Sequence, residues 1–105
     1  MAKEILDITI AKGYSYPIYL DFNASDGSNL ETDYACYFKN EHIGVKTFSV
    51  VNNTFSLTLT EEDTGKLVNN LEEYEVYVRD LTTQAYDQLL TGRIHLEGTL
   101  RWMYL

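Results

Sequence analysis

Thr54-Phe55-Ser56-Leu57-Thr58-Leu59-Thr60 decides how this chain reads. Large apolar side chains at 55, 57 and 59 alternate with hydroxyl side chains at 54, 56, 58 and 60. Successive side chains on a strand point to opposite faces, so the stretch describes a ribbon with one buried and one wetted side. The same rhythm recurs at Leu6-Ile8-Ile10, Ile18-Leu20-Phe22, Tyr34-Cys36-Phe38, Tyr74-Val76-Val78 and Leu90-Ile94-Leu96. Almost nothing of helical period interrupts it.

Downstream, Thr60-Glu61-Glu62-Asp63 has the form of a capping box, with a hydroxyl at the cap, an acid three residues later and acids in the first turn. One or two helical turns are expected over 61–68, with Leu67 and Val68 folded back on the core. Upstream, Asn52-Asn53 suits a two-residue hairpin turn, because asparagine accepts positive φ. Before it a strand is expected over 45–51, with Phe48 and Val50 inward. The remaining strands are expected over 4–12, 15–23, 33–40, 73–81, and from Ala85 onward as one long strand or two. Gly13 closes the first, and Gly92 and Gly98 mark bulges or bends in the last. Pro17 lacks a ladder donor, which places its strand at a sheet edge or puts the proline at a strand start. Asn23–Asn29 and Asn40–Gly44 read as turns.

The expected fold is therefore all-β: an immunoglobulin-like antiparallel β-sandwich of about seven strands with one short helical insertion, forming a single domain over 1–105. The expected core is Leu6, Ile8, Ile10, Ile18, Leu20, Phe22, Cys36, Phe38, Phe55, Leu57, Leu59, Leu67, Tyr74, Val76, Val78, Ile94 and Leu96.

Composition narrows the partners. Sixteen acidic and eight basic side chains give a net charge of −8, which repels nucleic-acid phosphates and anionic membrane surfaces alike. Neither is expected as a partner. The single cysteine, Cys36, leaves the fold independent of an internal disulfide, and its position mid-strand on the apolar phase suits a buried, inert thiol. MAKEILDITIAKG contains no long apolar stretch and no small-residue cleavage site, so no signal peptide is expected. No run approaches the ~20 apolar residues of a membrane helix.

Residue types that carry catalysis are sparse. His42 lies in an expected turn beside Glu41, and His95 lies on the polar phase of the last strand. Neither has a nucleophile-elbow motif to serve. Asp21–Gly27 has oxygen ligands at alternate positions, but its glycine falls one place late for a calcium loop, and Thr32 stands where the twelfth-position glutamate belongs. One cysteine and two distant histidines do not make a zinc site. Glu61-Glu62-Asp63 is explained by capping, and Glu72-Glu73 by a solvated strand start. No enzyme activity, cofactor or metal is expected. Nine tyrosines remain as the distinctive feature, and tyrosine suits interfaces because its ring packs while its hydroxyl stays wet.

Four features in order carry a family resemblance. Lys12-Gly13 closes the opening strand ahead of the aromatic strand Tyr16–Phe22. Asp26-Gly27 leads through Leu30 and Thr32 into Tyr34–Lys39. Phe55–Leu59 runs into Thr60-Glu61-Glu62-Asp63-Thr64 and Leu67. Tyr74-Glu75-Val76-Tyr77-Val78 precedes a turn and a closing strand with Leu90-Thr91-Gly92-Arg93-Ile94. This order resembles the small β-sandwich modules of tailed-bacteriophage virions, found among tail, baseplate, neck and fibre-associated proteins. The resemblance implies a non-enzymatic building block present in several copies, which packs edges and faces against neighbours. It brings over no catalytic or ligand-binding residue.

The expected function is that of a virion structural or assembly protein, made in a host cytoplasm, which self-associates and docks onto another virion protein. Trp102, Met103, Tyr104 and Leu105, with Tyr14, Tyr16 and Tyr19, form the candidate interface; alternatively, the four terminal residues complete the last strand of the chain's own core. A rival reading is a carbohydrate-binding module for host-surface recognition, which predicts two or more coplanar tyrosines forming a platform. A nucleic-acid mimic would need acids clustered on one face, whereas here they are spread along the chain.

Overall fold

A computed structural model describes residues 4–21, 33–52 and 54–97. The described residues form β1 (Glu4–Ile5), β2 (Ile8–Ala11), β3 (Tyr16–Leu20), β4 (Tyr34–Asn40), β5 (Gly44–Thr47), β6 (Ser49–Val51), β7 (Thr54–Leu59), α1 (Glu61–Gly65), β8 (Leu71–Asp80) and β9 (Tyr86–Glu97). The larger sheet runs β1-β9-β8-β4-β5, with β2 also on β9, and the smaller runs β3-β7-β6. In immunoglobulin-like lettering the smaller sheet has the order B-E-D and β9-β8-β4-β5 the order G-F-C-C′. The fold is an all-β sandwich with one short helix among the described residues.

The core lies between the sheets. Phe55 and Leu59 of β7 meet Phe38 and Cys36 of β4, Tyr74 and Val76 of β8, and Leu90 and Ile94 of β9. Phe38 stacks on Tyr74 with ring centroids 5.6 Å apart, and Phe48 meets Phe55 edge-on at 6.4 Å. Ile8, Ile18, Leu20, Leu57 and Leu96 are half-buried around this centre. Phe48 joins it, inward as expected from 45–51, and so do Ile43 and Leu90, which the expected core omits. Phe22 lies outside the described residues.

The expected runs hold, with instructive departures. The run over 45–51 becomes two strands in different sheets. Phe48 N–H donates to Cys36 O (2.9 Å) while its ring enters the core, so the chain crosses between sheets at this residue. The run over 4–12 is interrupted at Leu6-Asp7. Its two halves pair parallel, not antiparallel, with β9: Glu4 opposite Leu90 and Ile8 opposite Ile94. Pairing on this flank therefore corrects the antiparallel expectation. Leu6 is also corrected, being 48% exposed rather than core. Its carbonyl takes the inward position, accepting the Tyr74 hydroxyl (2.6 Å) and lying so close to Gly92 that a Cβ there would overlap it.

Turn residues behave as their chemistry requires. Asn52 has φ 52° where β6 turns into β7, and Gly13 and Gly44 have φ 85° and 89°. Pro17 sits on β3, at an edge of the smaller sheet. A bulge between Val76 and Tyr77 shifts the β8–β9 register.

Candidate interaction surfaces

The outer face of the smaller sheet is built by the same alternation that fills the core. Ile18, Leu57 and Phe55 turn inward, so Pro17 and Tyr19 of β3, Ser56 and Thr58 of β7, and Ser49 and Val51 of β6 turn outward. Register aligns them in rows: Pro17 beside Thr58, Tyr19 beside Ser56, Ser56 beside Ser49, and Thr54 beside Val51. None of these side chains is charged, on a protein of net charge −8; a carboxylate stands only at the rim, where Asp21 Oδ1 accepts the Thr54 hydroxyl at 3.3 Å. Tyr19 is 70% exposed and Val51 55%. Among the described residues, no strand pairs with the side of β3 away from β7.

Of the tyrosines expected at an interface, Tyr14 and Tyr19 are exposed, whereas Tyr16 packs against the core. Trp102, Met103, Tyr104 and Leu105 lie outside the described residues, as does Asp26-Gly27 of the calcium-like loop.

A second aromatic group stands on the outer face of the larger sheet. Tyr37 and Tyr77 are cross-strand partners whose rings stack with centroids 5.1 Å apart at 27°. Tyr86 lies 5.8 Å from Tyr77, and the Arg79 guanidinium sits over the Tyr86 ring at 5.2 Å. Burial and the neighbouring hydroxyls push the Tyr77 phenol up. Beyond this group the sheet dips into an open depression of about 900 Å³, whose rim includes Lys39, Glu41, Glu73, Glu75 and Arg93. Its charges are partly matched from within: Lys39 lies 3.9 Å from Glu75, which also accepts from Gln88 Nε2 at 2.6 Å.

The expected solvated pair Glu72-Glu73 divides. Glu72 is buried, because position 72 shares the inward phase of Tyr74, Val76 and Val78. Its carboxylate accepts Val68 N–H (2.7 Å), Asn69 N–H (3.1 Å) and Asn40 Nδ2 (3.2 Å), and pairs with His42 Nδ1 at 2.7 Å. These donors hold it below the usual carboxylate range, although burial pushes the other way. Donating to the Glu72 carboxylate raises the His42 imidazole above its ordinary value. Asn40 completes the cluster by accepting His42 N–H and Ile43 N–H on Oδ1, both at 2.9 Å. His42, Glu72 and Asn40 thus pin the β4–β5 turn to the start of β8.

The other chemistry-bearing residues are also occupied by the fold. Burial pushes the Cys36 thiol up to about 12, leaving almost no thiolate near neutral pH. His95 Nε2 lies 3.7 Å from Asp7, with both side chains about half exposed. Among the described residues, no cluster of three or more His, Cys, Asp or Glu side chains is arranged to hold a metal ion. No helix among them is long and apolar enough to cross a membrane. We find no protein-family model that matches the sequence, and no match among curated proteins.

Alternation along β7 alone assigns its hydroxyl set simply to water, so the uncharged face is not visible as a unit in any one strand. The signal lay in comparing strands: Pro17, Tyr19, Ser49 and Val51 join that set once β3 and β6 flank β7.

Proposed function

We propose that this protein is a non-enzymatic structural module of a tailed-phage virion, assembled in the host cytoplasm, which works by packing against copies of itself and another virion protein. The observation that carries the reading is the uncharged outer face of the smaller sheet, with Tyr19 standing on it and β3 at its rim. Interface centres are depleted of charge and enriched in tyrosine, and a face lacking charge on a strongly acidic chain fits that pattern. Net charge elsewhere keeps the unassembled chain soluble at high copy number. The order of elements resembling phage β-sandwich modules supplies the class of partner.

The glycan-binding alternative is less well supported. A sugar-stacking platform needs ring faces open to the ligand, whereas Tyr37 and Tyr77 turn their faces toward each other.

Native mass measurement tests the proposal, with the protein alone and co-expressed with the products of neighbouring genes. A defined complex with one such product, weakened at least tenfold by Tyr19→Asp or by removing residues 102–105, is expected. A chain that captures none of them overturns it.

A further inference from the structure

We infer that the tyrosine face of the larger sheet is a self-complementary surface on which a second copy of this chain docks by two-fold symmetry. The inference rests on the assembly reading only in that copies meet; it names a surface that reading does not require.

Along β8 the outward positions read Leu71, Glu73, Glu75, Tyr77, Arg79, and the last three set an acid, an aromatic ring and a cation at equal spacing. On neighbouring β4 the matching outward positions are Lys39, Tyr37 and Ala35. An isologous interface places each patch against itself. With the two-fold axis lying across the strands at the Tyr37–Tyr77 row, the partner's strands run in reverse. Tyr77 then meets the partner's Tyr77, Arg79 meets the partner's Glu75, and Lys39 meets the small side chain of the partner's Ala35. Each dimer has two Arg79–Glu75 contacts.

Two observations favour this occupant. First, the rows containing Tyr37, Tyr77, Tyr86 and Arg79 include no outward acid, although the chain carries 16 acidic residues. Within these three rows Glu75 is the only acid beside Lys39 and Arg79, so the chain's general acidity does not extend to the patch, and attraction comes from setting Arg79 against the partner's Glu75. Second, the Arg79 guanidinium is held in place on this face, over the Tyr86 ring and by a bond to Gln84. Aligned packing of sheets face to face within about 30° is a common way for such surfaces to meet.

Size sets the strength. Four strands about 4.8 Å apart and three rows about 7 Å apart give a footprint on the order of 400 Å² per copy, near half that of a standard interface. The dimer is accordingly weak, with a dissociation constant in the micromolar range or above, and is favoured where copies are held close together.

Sedimentation equilibrium of the purified chain, from micromolar to millimolar, tests this. A concentration-dependent dimer is expected. Glu75→Arg and Arg79→Glu should each weaken it at least tenfold, since each sets like charges against one another across the axis. Mixed in equal amounts, the two variants should associate again, because one chain then offers only cations and the other only acids at the two positions. Tyr86→Glu, at a well-exposed position that leaves the fold intact, should also weaken the dimer at least tenfold. A monomer at millimolar concentration, a dimer indifferent to these substitutions, or single variants that fail to recombine would overturn the inference. Self-association lost on removing residues 102–105 but untouched by the charge changes would likewise overturn it, while leaving the assembly reading standing.

Discussion

At the scale of single residues, Glu72 and His42 tie stability to pH. Glu72 titrates below its ordinary 4.5 because the folded protein supplies four donors. Its contribution is present above pH 4.5 and fades as pH falls through the lowered value. His42 titrates above its ordinary 6.5, so its contribution is complete below 6.5 and fades as pH rises through the raised value. The pair stabilises most between those limits. Urea unfolding from pH 4 to 9 should show stability falling on the alkaline side, and His42→Ala should flatten that limb. Glu72→Ala leaves Val68 N–H and Asn69 N–H without their acceptor, while Asn40 Nδ2 keeps only the Glu73 carbonyl, and should cost about 2–4 kcal/mol. Exposed Glu73 is the control: Glu73→Ala should change stability by less than about 0.5 kcal/mol. The sequence held the clue to this difference. Extending the phase of Tyr74, Val76 and Val78 back by two positions reaches Glu72, and extending Cys36 and Phe38 forward by two reaches Asn40. Acidic and amide character argued for solvent at both sites, and only the pairing of β4 with β8 shows that each satisfies the other.

At the scale of elements, the short helix shows a local signal serving a distant purpose. The capping box forms as written: Asp63 N–H donates to Thr60 Oγ1 (3.1 Å), and Thr60 N–H to Asp63 Oδ2 (3.0 Å). Asp63 also binds Lys46 Nζ at 2.9 Å, holding α1 against β5. Thr64, fully buried, accepts Gly13 N–H (3.0 Å) and donates to Tyr14 O (2.9 Å), clamping the β2–β3 turn. The helix is legible because its signal spans four residues. The clamp is not, because its partners lie some 50 residues away. Val68, expected to fold inward with Leu67, is 62% exposed, since its N–H is drawn to the Glu72 carboxylate as the chain leaves the helix. Thr60→Ala should cost about 1 kcal/mol by removing the cap. Thr64→Val keeps the shape but removes the hydroxyl's bonds to Gly13 N–H and Tyr14 O, and should cost about 2 kcal/mol. Chemical denaturation of both variants checks the order; a Thr64→Val loss no larger than that of Thr60→Ala would deny the clamp its role.

At the scale of the whole molecule, the sandwich follows from alternation, but the route of the opening strand does not. Hydrophobic phase assigns Ile8 and Ile10 to the core without saying which strand they pair with or in which direction. That choice is made by backbone contact: Leu6 N–H donates to Thr91 O (2.9 Å), Arg93 N–H to Asp7 Oδ1 (3.0 Å), and Gly92 leaves room for the Leu6 carbonyl beneath the Tyr74 hydroxyl. Gly92→Ala places a methyl group where that carbonyl lies and should expel β1 from β9. Hydrogen exchange should then quicken in 4–11 and in the β9 amides facing it, while β3, β6 and β7 keep their protection. Tyr74→Phe alone loses one hydrogen bond, about 1 kcal/mol. Added to Gly92→Ala it should cost little more, because the carbonyl it served has already moved. Cys36 supplies the global readout: buried, with its thiol pushed up to about 12, it should react with an alkylating reagent only when the sandwich opens as a whole. Gly92→Ala should therefore speed exchange at the opening strand far more than alkylation of Cys36. Equal acceleration of both would mean that this strand is not a separable flank but part of the same cooperative unit as the core.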